Sequence, residues 1–297
     1  MLTTLKSSDW FSADGFPIAV ERREPQVAFP PHRHEFSEIV LITGGEGLHV
    51  VGKESWPLSA GDVFVIGGPR GHAYRDLRRL QLINILFVPE KLQFNLGDLK
   101  MLPGYHALFS LEPAWRQRHA FSSRLRLSPK DMAPVVALVD QMEAEIKERA
   151  PGFGFMATAH FMQIVGHLSR CYERAKDADS RHLLQIAKAI THLEAKTNSP
   201  VNLEELAAIA GMSKRSLVRA FHDATGVPPI AYLIQLPINR AAALLRTSTD
   251  SITDIAFQVG FTDSNYFTRQ FTKQTGMSPR QYRQIYFKSR AKLSHQP

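Results

Sequence analysis

The sequence predicts an α+β protein: a small antiparallel β-barrel or sandwich, then two helices, then an all-helical domain with two helix-turn-helix units. Three observations predict this order. Short strands separated by Gly and Pro run from about residue 29 to 88, apolar helical stripes follow between about 129 and 172, and a two-helix pattern occurs twice between Leu203 and Tyr282. Strands grouped before helices are typical of an α+β architecture.

The first predicted element is a set of strand-like segments: SEIVLIT from Ser37, GLHVVG from Gly47, GDVFVIG from Gly61 and LQLINILFV from Leu80. Their alternating apolar positions and β-branched residues, punctuated by Gly and Pro, favour an antiparallel barrel or sandwich. We assign this domain to residues 1–128.

Four polar side chains stand out in and beside these strands: His32, His34, Glu38 and His72. The HxHxxxE spacing puts two His on one face of a strand with a Glu nearby, and the segment ending at His72 can return beside them. Such a convergence suits a polyhydroxyl effector, which needs polar partners in its pocket. The same four residues also suit a divalent metal, or they simply line the mouth of the barrel.

This spacing resembles the cupin signature, carried here by His32, His34, Glu38, Gly45, Gly61, Asp62, Pro69 and His72. The resemblance implies a cupin-like β-barrel that binds an effector. In metal-binding cupins, three His and one Glu hold Fe, Mn, Zn or Ni, so a divalent metal is the alternative occupant of the same pocket.

Two antiparallel helices are predicted next. Ser128 and Pro129 form a helix start, and the first helix carries the apolar stripe Val135, Val136, Leu138, Val139, Met142 and Ile146. The second runs from about 155 to 172 and carries Phe161, Ile164, Val165 and Leu168. The pair either joins two subunits or covers the open face of the barrel. We assign residues 129–178 as a helical dimerisation and linker segment, with the domain boundary at 175–180.

Residues 179–290 are predicted to be a DNA-binding domain, because they contain the helix-turn-helix pattern twice, at about 202–224 and 251–275. ELAAIAGMSKRSLVRAF from Glu205 corresponds to DIAFQVGFTDSNYFTRQF from Asp254, at an offset of 49 that becomes 50 after the turn. Asn202 with Glu205, Ser213 and Thr262 are predicted helix caps, and a further helix starts at Ser278 and Pro279.

The two recognition helices are expected at about 213–224 and 263–274, with Leu217, Phe221, Phe267 and Phe271 facing inward. The residues left for DNA are Lys214, Arg215, Val218, Arg219, Asp263, Ser264, Asn265, Thr268 and Arg269. Arg can read guanine and Asn can read adenine through paired hydrogen bonds, and Ser, Thr and Lys suit base edges or phosphates. Because Arg219 and Arg269 recur at one place in both copies, pairing with a carboxylate inside each unit is the structural alternative.

The excess positive charge lies entirely in the predicted DNA-binding half. Residues 181–297 contain 15 Lys and Arg against 7 Asp and Glu, which gives +8, whereas residues 1–180 contain 21 of each. Such a partition indicates a polyanionic partner. The single cysteine, Cys171, together with the lack of a secretion signal or a membrane-length apolar run, predicts a cytoplasmic protein without membrane association.

Two segments resemble one known family: ITDIAFQVGFTDSNYFTRQFTKQTGMSPRQYR from Ile252 and HRHEFSEIVLITGGEGLHV from His32. With the order of the domains, they make nearly the whole chain similar to the AraC/XylS family of bacterial transcription regulators. GLHV from Gly47, GDVFVI from Gly61, NILFVPEKL from Asn84, LPGY from Leu102 and DSNYF from Asp263 look most like its rhamnose-responsive members. The resemblance implies a homodimer whose barrel binds a small sugar, such as L-rhamnose, and which acts on promoter DNA and RNA polymerase.

Two residues depart from the family pattern. Pro237 falls inside the helix expected to join the two units, where a Pro removes one hydrogen bond and costs about 3 kcal/mol unless the helix kinks. Val218 replaces a residue that is often polar, which favours contact with a thymine methyl group.

The leading interpretation is therefore an effector-responsive transcription activator that is not an enzyme. Its main alternative is a metal-dependent cupin enzyme, such as an isomerase or dioxygenase, with an appended DNA-binding domain, although no second acid-base set accompanies the four polar residues. A passive architectural DNA-binding protein is the third functional alternative, but such a protein does not need a ligand pocket.

Overall fold

The computed structural model describes residues 2–67, 71–92, 97–115, 125–195 and 202–285. Its backbone contacts separate two compact units, residues 1–191 and 192–297. The domain boundary at 175–180 stays a prediction; in the structure, this segment lies where one long helix ends and the next begins. Pro69 of the cupin-like signature lies outside the described residues.

The first unit is built on a six-stranded antiparallel sheet. In chain order its elements are β1 (Thr3–Leu5), α1 (Ser7–Trp10), β2 (Ile18–Arg23), β3 (His32–His34), β4 (Ser37–Val51), β5 (Glu54–Ser59), β6 (Asp62–Ile66) and β7 (Ala73–Phe87), with β8 (Leu125–Arg126) after a helical stretch. The sheet order is β2-β7-β4-β6-β8, and β5 pairs with β4. The short strand β1 pairs in parallel with β3.

The described strands form the predicted antiparallel β domain, but they do not close into a barrel. Closure requires hydrogen bonds between the two end strands, but β2 and β8 are at opposite ends of the strand order and β8 has only two residues. The two long strands β4 and β7 instead bend at register shifts between Ile42 and Leu48. Gly45 lies in this stretch with a φ of +69°, and a Cβ there would lie 2.1 Å from the main-chain oxygen of Arg79.

The helical stretch after β7 begins with two 3₁₀ turns, Pro89–Lys91 and Gly97–Met101. A continuous run follows, consisting of α2 (Pro103–Tyr105), a π-helical segment (His106–Leu111) and α3 (Glu112–Trp115). After β8 come the long helices α4 (Pro129–Glu148), α5 (Phe153–Glu173) and α6 (Ala178–Ala195). The predicted start of α4 is confirmed, because the Ser128 side chain accepts a hydrogen bond from the Asp131 backbone N–H at 3.2 Å.

The hairpin of α4 and α5 packs against the sheet. The Phe87 ring of β7 meets the Phe161 ring of α5 with centroids 5.2 Å apart. Arg22 of β2 donates hydrogen bonds to Asp140 and Glu143 of α4 at 2.5 and 2.7 Å. The hairpin therefore covers a face of the sheet, which was one of the two predicted roles.

The second unit contains the predicted repeat. Its elements are α7 (Leu203–Ala210), α8 (Lys214–Thr225), α9 (Pro229–Thr247), α10 (Ile252–Gln258) and α11 (Ser264–Thr275), followed by helical residues from 279 to 285. The four predicted inward residues, Leu217, Phe221, Phe267 and Phe271, are all completely buried. The two recognition helices begin and end within a residue of the predicted bounds.

Most of the predicted caps are confirmed. Asn202 accepts from the backbone N–H of Glu204, Ser213 from that of Ser216 and Ser278 from that of Gln281. The prediction for Thr262 is wrong: Asp263 caps α11, accepting from Asn265 and Tyr266 at 2.7 and 2.9 Å. A carboxylate is a stronger acceptor than a hydroxyl, so the helix begins after the aspartate.

Pro237 lies inside α9, which is helical from Pro229 to Thr247. The helix therefore continues through the proline, although Pro237 has no N–H to donate to the preceding turn. Neighbouring Leu236 and Ile238 are buried, so tertiary packing holds this part of the helix.

Candidate functional site

The first candidate site is the exposed face of α8. An open groove along this helix is lined by Lys214, Arg215, Val218, Arg219, His222, Asp223 and Pro228, which include all four residues predicted for DNA contact there. Arg215 and Arg219 are exposed, and Val218 is half-buried between them. Lys214 forms an ion pair with Glu204 of α7, and both side chains are largely exposed, so this pair can exchange for a phosphate contact.

The corresponding face of α11 is more polar. Asn265 and Arg269 are exposed, while Ser264 and Thr268 are half-buried and joined by a hydrogen bond from the Thr268 hydroxyl to the Ser264 carbonyl at 2.9 Å. Asp263 is engaged as the helix cap, and the backbone N–H groups that it accepts from hold the pKa of its carboxyl below the usual range. An ionised Asp263 repels phosphates, so we assign it to the cap.

The structural alternative for the repeated arginines, pairing with a carboxylate of the same unit, differs between the two copies. Arg269 lies over the Tyr266 ring, with its guanidinium carbon 5.9 Å from the centroid, and its charge helps to lower the pKa of the Asp263 carboxyl. Arg219 is exposed on the first recognition helix. Both arginines are exposed, so their guanidinium groups can reach phosphate or guanine.

The second candidate site lies on the sheet of the first unit and contains the four predicted polar residues. His32 and His34 lie on β3 and Glu38 on β4, and the His32 backbone pairs with that of His72 through N···O contacts of 3.0 and 2.8 Å. The Glu38 Oε1 atom lies 3.4 Å from His72 Nε2 and 3.9 Å from His34 Nε2. The fold thus brings together all four residues, as their spacing predicts.

Burial disfavours the charged forms of Glu38, His34 and His32. Desolvation raises the pKa of the buried Glu38 carboxyl to about 8 and lowers that of His34 to about 4. Desolvation also lowers the pKa of His32. A protonated carboxyl beside neutral imidazoles offers both hydrogen-bond donors and acceptors, which a hydroxylated ligand can use.

A cavity of about 40 Å³ opens beside the cluster. It is lined by Leu5, Trp10, Glu21, Arg23, Gln26, Phe29, His32, Phe36, Glu38, His72, Tyr74, Asn84 and Leu86. His34 is not among these residues; it contacts Glu38 and stacks on Phe36. Ligand pockets commonly reach roughly 300 Å³, so a monosaccharide requires this cavity to widen.

Sequence reasoning missed several of these lining residues. Glu21 of β2 and Asn84 of β7 are register partners, and the Asn84 Oδ1 atom is buried without a hydrogen-bond partner among the described residues. Arg23 lies two residues beyond Glu21 and forms an ion pair with it at 3.2 Å. The polar Asn84 within the apolar segment LQLINILFV could have indicated a cavity-lining residue. Nothing in the sequence around Trp10 indicates that it lines the cavity.

Three of the four residues of this cluster also provide suitable ligands for a divalent metal ion. Ligand atoms of His34, Glu38 and His72 lie within 4.8 Å of one another, and His34 Nε2 and Glu38 Oε1 are buried without hydrogen-bond partners in the described residues. His32 is outside this group, with its Nδ1 atom 3.0 Å from the Pro30 carbonyl oxygen. Two imidazoles and a carboxylate could hold such an ion and leave positions open.

Together, the paired recognition helices and the polar cavity define a ligand-responsive DNA-binding protein. Within the described ranges, no helix is both long and apolar enough to cross a bilayer. A helix-turn-helix domain model matches residues 206–285, and a model of the AraC-like ligand binding domain matches residues 17–165.

The chain is also similar to curated proteins along its length. The HTH-type transcriptional activator RhaR of Escherichia coli (strain K12) is 34% identical over 284 residues, covering 95% of this chain and 96% of the relative. RhaR of Shigella flexneri has the same identity and coverage. A solved transcriptional regulator with an AraC-type DNA-binding domain, from Chromobacterium violaceum, is 28% identical with a TM-score of 0.31, covering 34% of this chain and 91% of that one. The chain belongs to the AraC family of transcription regulators.

Proposed function

We propose that this protein is a homodimeric activator of sugar catabolism genes that responds to L-rhamnose or a related deoxy sugar. The observation that carries the proposal is the pairing of a polar cavity in one unit with two exposed recognition faces in the other. Promoter DNA is bound by α8 and α11, and RNA polymerase is the partner through which an activator acts. The identity to an activator over nearly the full chain supports this proposal.

Base reading is assigned to one exposed residue on each recognition helix. We expect Arg215→Ala and Asn265→Ala each to weaken binding of the cognate promoter by about 1–3 kcal/mol, because each removes paired hydrogen bonds to a base. Fluorescence anisotropy with cognate and scrambled duplexes measures both affinities. Equal losses on the two duplexes would show that these residues contact only phosphate.

The effector is assigned to the cavity beside Glu38. Its polar lining, with Glu21, Arg23, His72 and Asn84, offers donors and acceptors from three strands and the segment before β7. The aromatic rings of Trp10 and Phe29 add apolar surface at the same opening. A pyranose can form hydrogen bonds to the polar lining through the hydroxyls on its edge and can pack its C–H groups against the aromatic rings.

We expect L-rhamnose to bind this cavity and Asn84→Leu to weaken binding by about 1–3 kcal/mol, because Leu keeps the branching and the number of heavy atoms but leaves a sugar hydroxyl unpaired. Calorimetry with a panel of sugars measures the affinities, with Asn265→Leu in the other unit as the matched control. If another sugar binds in an Asn84-dependent way, the cavity assignment survives and the rhamnose assignment falls. If Asn84→Leu changes no affinity, the effector binds elsewhere.

The dimer interface is assigned to the exposed side of α5. Phe155 and Met162 are 80% and 39% exposed and lie seven residues apart, so they share one face of the helix. Gly166 continues this face, and a Cβ there would meet open space. Large exposed apolar side chains in a row indicate a surface covered by a second copy of the chain.

We expect the double substitution of Phe155→Glu and Met162→Glu to convert the dimer into a monomer, because it buries four carboxylates at a symmetric interface. Analytical ultracentrifugation measures the mass. Phe257→Glu is the control, since Phe257 is 55% exposed but lies on α10 of the other unit. A variant that stays dimeric would place the interface elsewhere.

A metal-dependent cupin enzyme is the second candidate, favoured by the convergence of His34, Glu38 and His72. Metal analysis of the purified protein, combined with turnover of sugar or aromatic substrates, tests it. Stoichiometric metal that is lost in His34→Gln, together with turnover, supports the enzyme, and such metal without turnover supports a structural ion in the effector cavity.

A further inference from the structure

A second cluster of metal-ligating side chains lies between the beginning of α4 and the end of α5. Asp131 is in the first turn of α4, and His167 and Cys171 are one turn apart on α5, so they project from the same face of that helix. One potential ligand atom from each of the three residues lies within 4.8 Å of the others. The cluster is separate from the cavity beside Glu38, since none of its residues lines that cavity.

The contacts around the cluster already favour a cation. Arg174 Nη2 donates a hydrogen bond to Asp131 Oδ1 at 2.7 Å and lies 3.2 Å from Cys171 Sγ. The Ser128 hydroxyl donates to Asp131 Oδ2 at 2.7 Å, and His167 Nε2 lies 3.2 Å from the Asp131 carbonyl oxygen. The Arg174 side chain is 61% exposed, so its guanidinium can move into solvent and free the two ligands that it contacts.

We propose that Asp131, His167 and Cys171 bind a zinc-class divalent ion, with water in the fourth position. A thiolate, an imidazole and a carboxylate are the zinc ligands of proteins, whereas Mg²⁺ and Ca²⁺ take oxygen ligands. Tetrahedral bonds of about 2.0–2.3 Å put ligand atoms roughly 3.5 Å apart, so ligand atoms that lie within 4.8 Å of one another must approach by at most about 1.3 Å. Cys171 is 5% exposed and His167 half-buried, so the site is largely shielded from bulk solvent. The bound ion ties the start of α4 to the end of α5 and displaces Arg174.

Cobalt(II) titration of the full-length protein tests this site, because Cys171 is the only cysteine of the chain. A sulfur-to-cobalt charge-transfer band therefore reports on this cluster and not on the His34, Glu38 and His72 group. We expect the band to saturate at one ion per chain and to disappear on adding zinc. His34→Gln should leave it unchanged. Absence of the band in the wild-type protein would overturn the proposal.

Variants around the cysteine separate a metal site from a structural hydrogen-bond network. Cys171→Ser should abolish the band, and His167→Gln should weaken cobalt binding at least about tenfold, since even a residue behind a ligand commonly contributes that much. Arg174→Gln should tighten binding, because it removes the competing guanidinium, while lowering the thermal stability of the metal-free protein. A band that His167→Gln leaves unchanged, or that Arg174→Gln weakens, would contradict the assignment.

Discussion

Raising the salt concentration from about 50 to about 200 mM is expected to weaken promoter binding at least about a thousandfold. The reason is the release of counterions from the phosphates that Lys and Arg neutralise, and residues 181–297 carry the full net charge of +8. Six or more phosphate contacts suffice for an effect of this size. Anisotropy titrations over a series of salt concentrations give the slope of log K against log salt.

Two variants make the salt experiment specific. Arg219→Gln should reduce the slope by about 1, because it removes one exposed contact to phosphate. Arg78→Gln is the matched control: Arg78 belongs to the sheet unit and its side chain is 82% exposed, so the slope should not change. A wild-type slope near zero would contradict binding to the DNA backbone by this domain.

Replacing Pro237 by Ala is expected to stabilise the second unit by about 2 kcal/mol. A Pro inside a helix destabilises the folded state by about 3 kcal/mol relative to Ala. Pro also restricts the unfolded chain, which offsets this loss of stability by up to about 1 kcal/mol. In a unit of 106 residues, this raises the midpoint of thermal unfolding by about 10 °C. Scanning calorimetry of the full-length protein measures the change, and promoter DNA identifies the transition that belongs to this unit.

Pro228→Ala is the matched control for this substitution. Pro228 is exposed at the N-cap of α9, where no hydrogen bond within the helix is lost, so the midpoint should move little. The affinity for the promoter should also change with Pro237→Ala, since α9 joins the two helix-turn-helix units. An unchanged or lowered midpoint for Pro237→Ala would show that the surrounding residues already compensate for the missing N–H.

Local interactions explain why much of the second unit could be predicted. Asn202 and Ser213 cap helices whose first backbone N–H groups lie two or three residues away, so the partners are visible in the sequence. Leu217 and Phe221, with their counterparts Phe267 and Phe271, share a face by helical spacing alone. Thr262 was misassigned as a cap because two adjacent residues both accept hydrogen bonds, and only the backbone course shows that Asp263 is at the helix start.

The lining of the cavity in the first unit is formed by residues that are distant from one another in the sequence, so it was harder to predict. The spacing of His32, His34 and Glu38 predicted a cluster, and His72 joins it through backbone pairing with His32. Which of them line the cavity was not predictable, because His34 points to Glu38 and Phe36 while Asn84 and Glu21 meet through strand pairing. That the sheet remains open was not predictable for a related reason. Strand order depends on which strands pair with each other and cannot be read from any one strand.

The sequence by itself determined the AraC family, the order of the two domains, the two recognition helices and the face that each exposes, because periodicity, capping and charge act over a few residues. The tertiary structure alone decided that the sheet stays open, that α4 and α5 cover it, that Trp10, Glu21, Arg23 and Asn84 border the cavity, and that α9 passes through Pro237 as a helix. These outcomes depend on which segments, distant in the sequence, pack against each other. Packing across the whole unit determines those contacts.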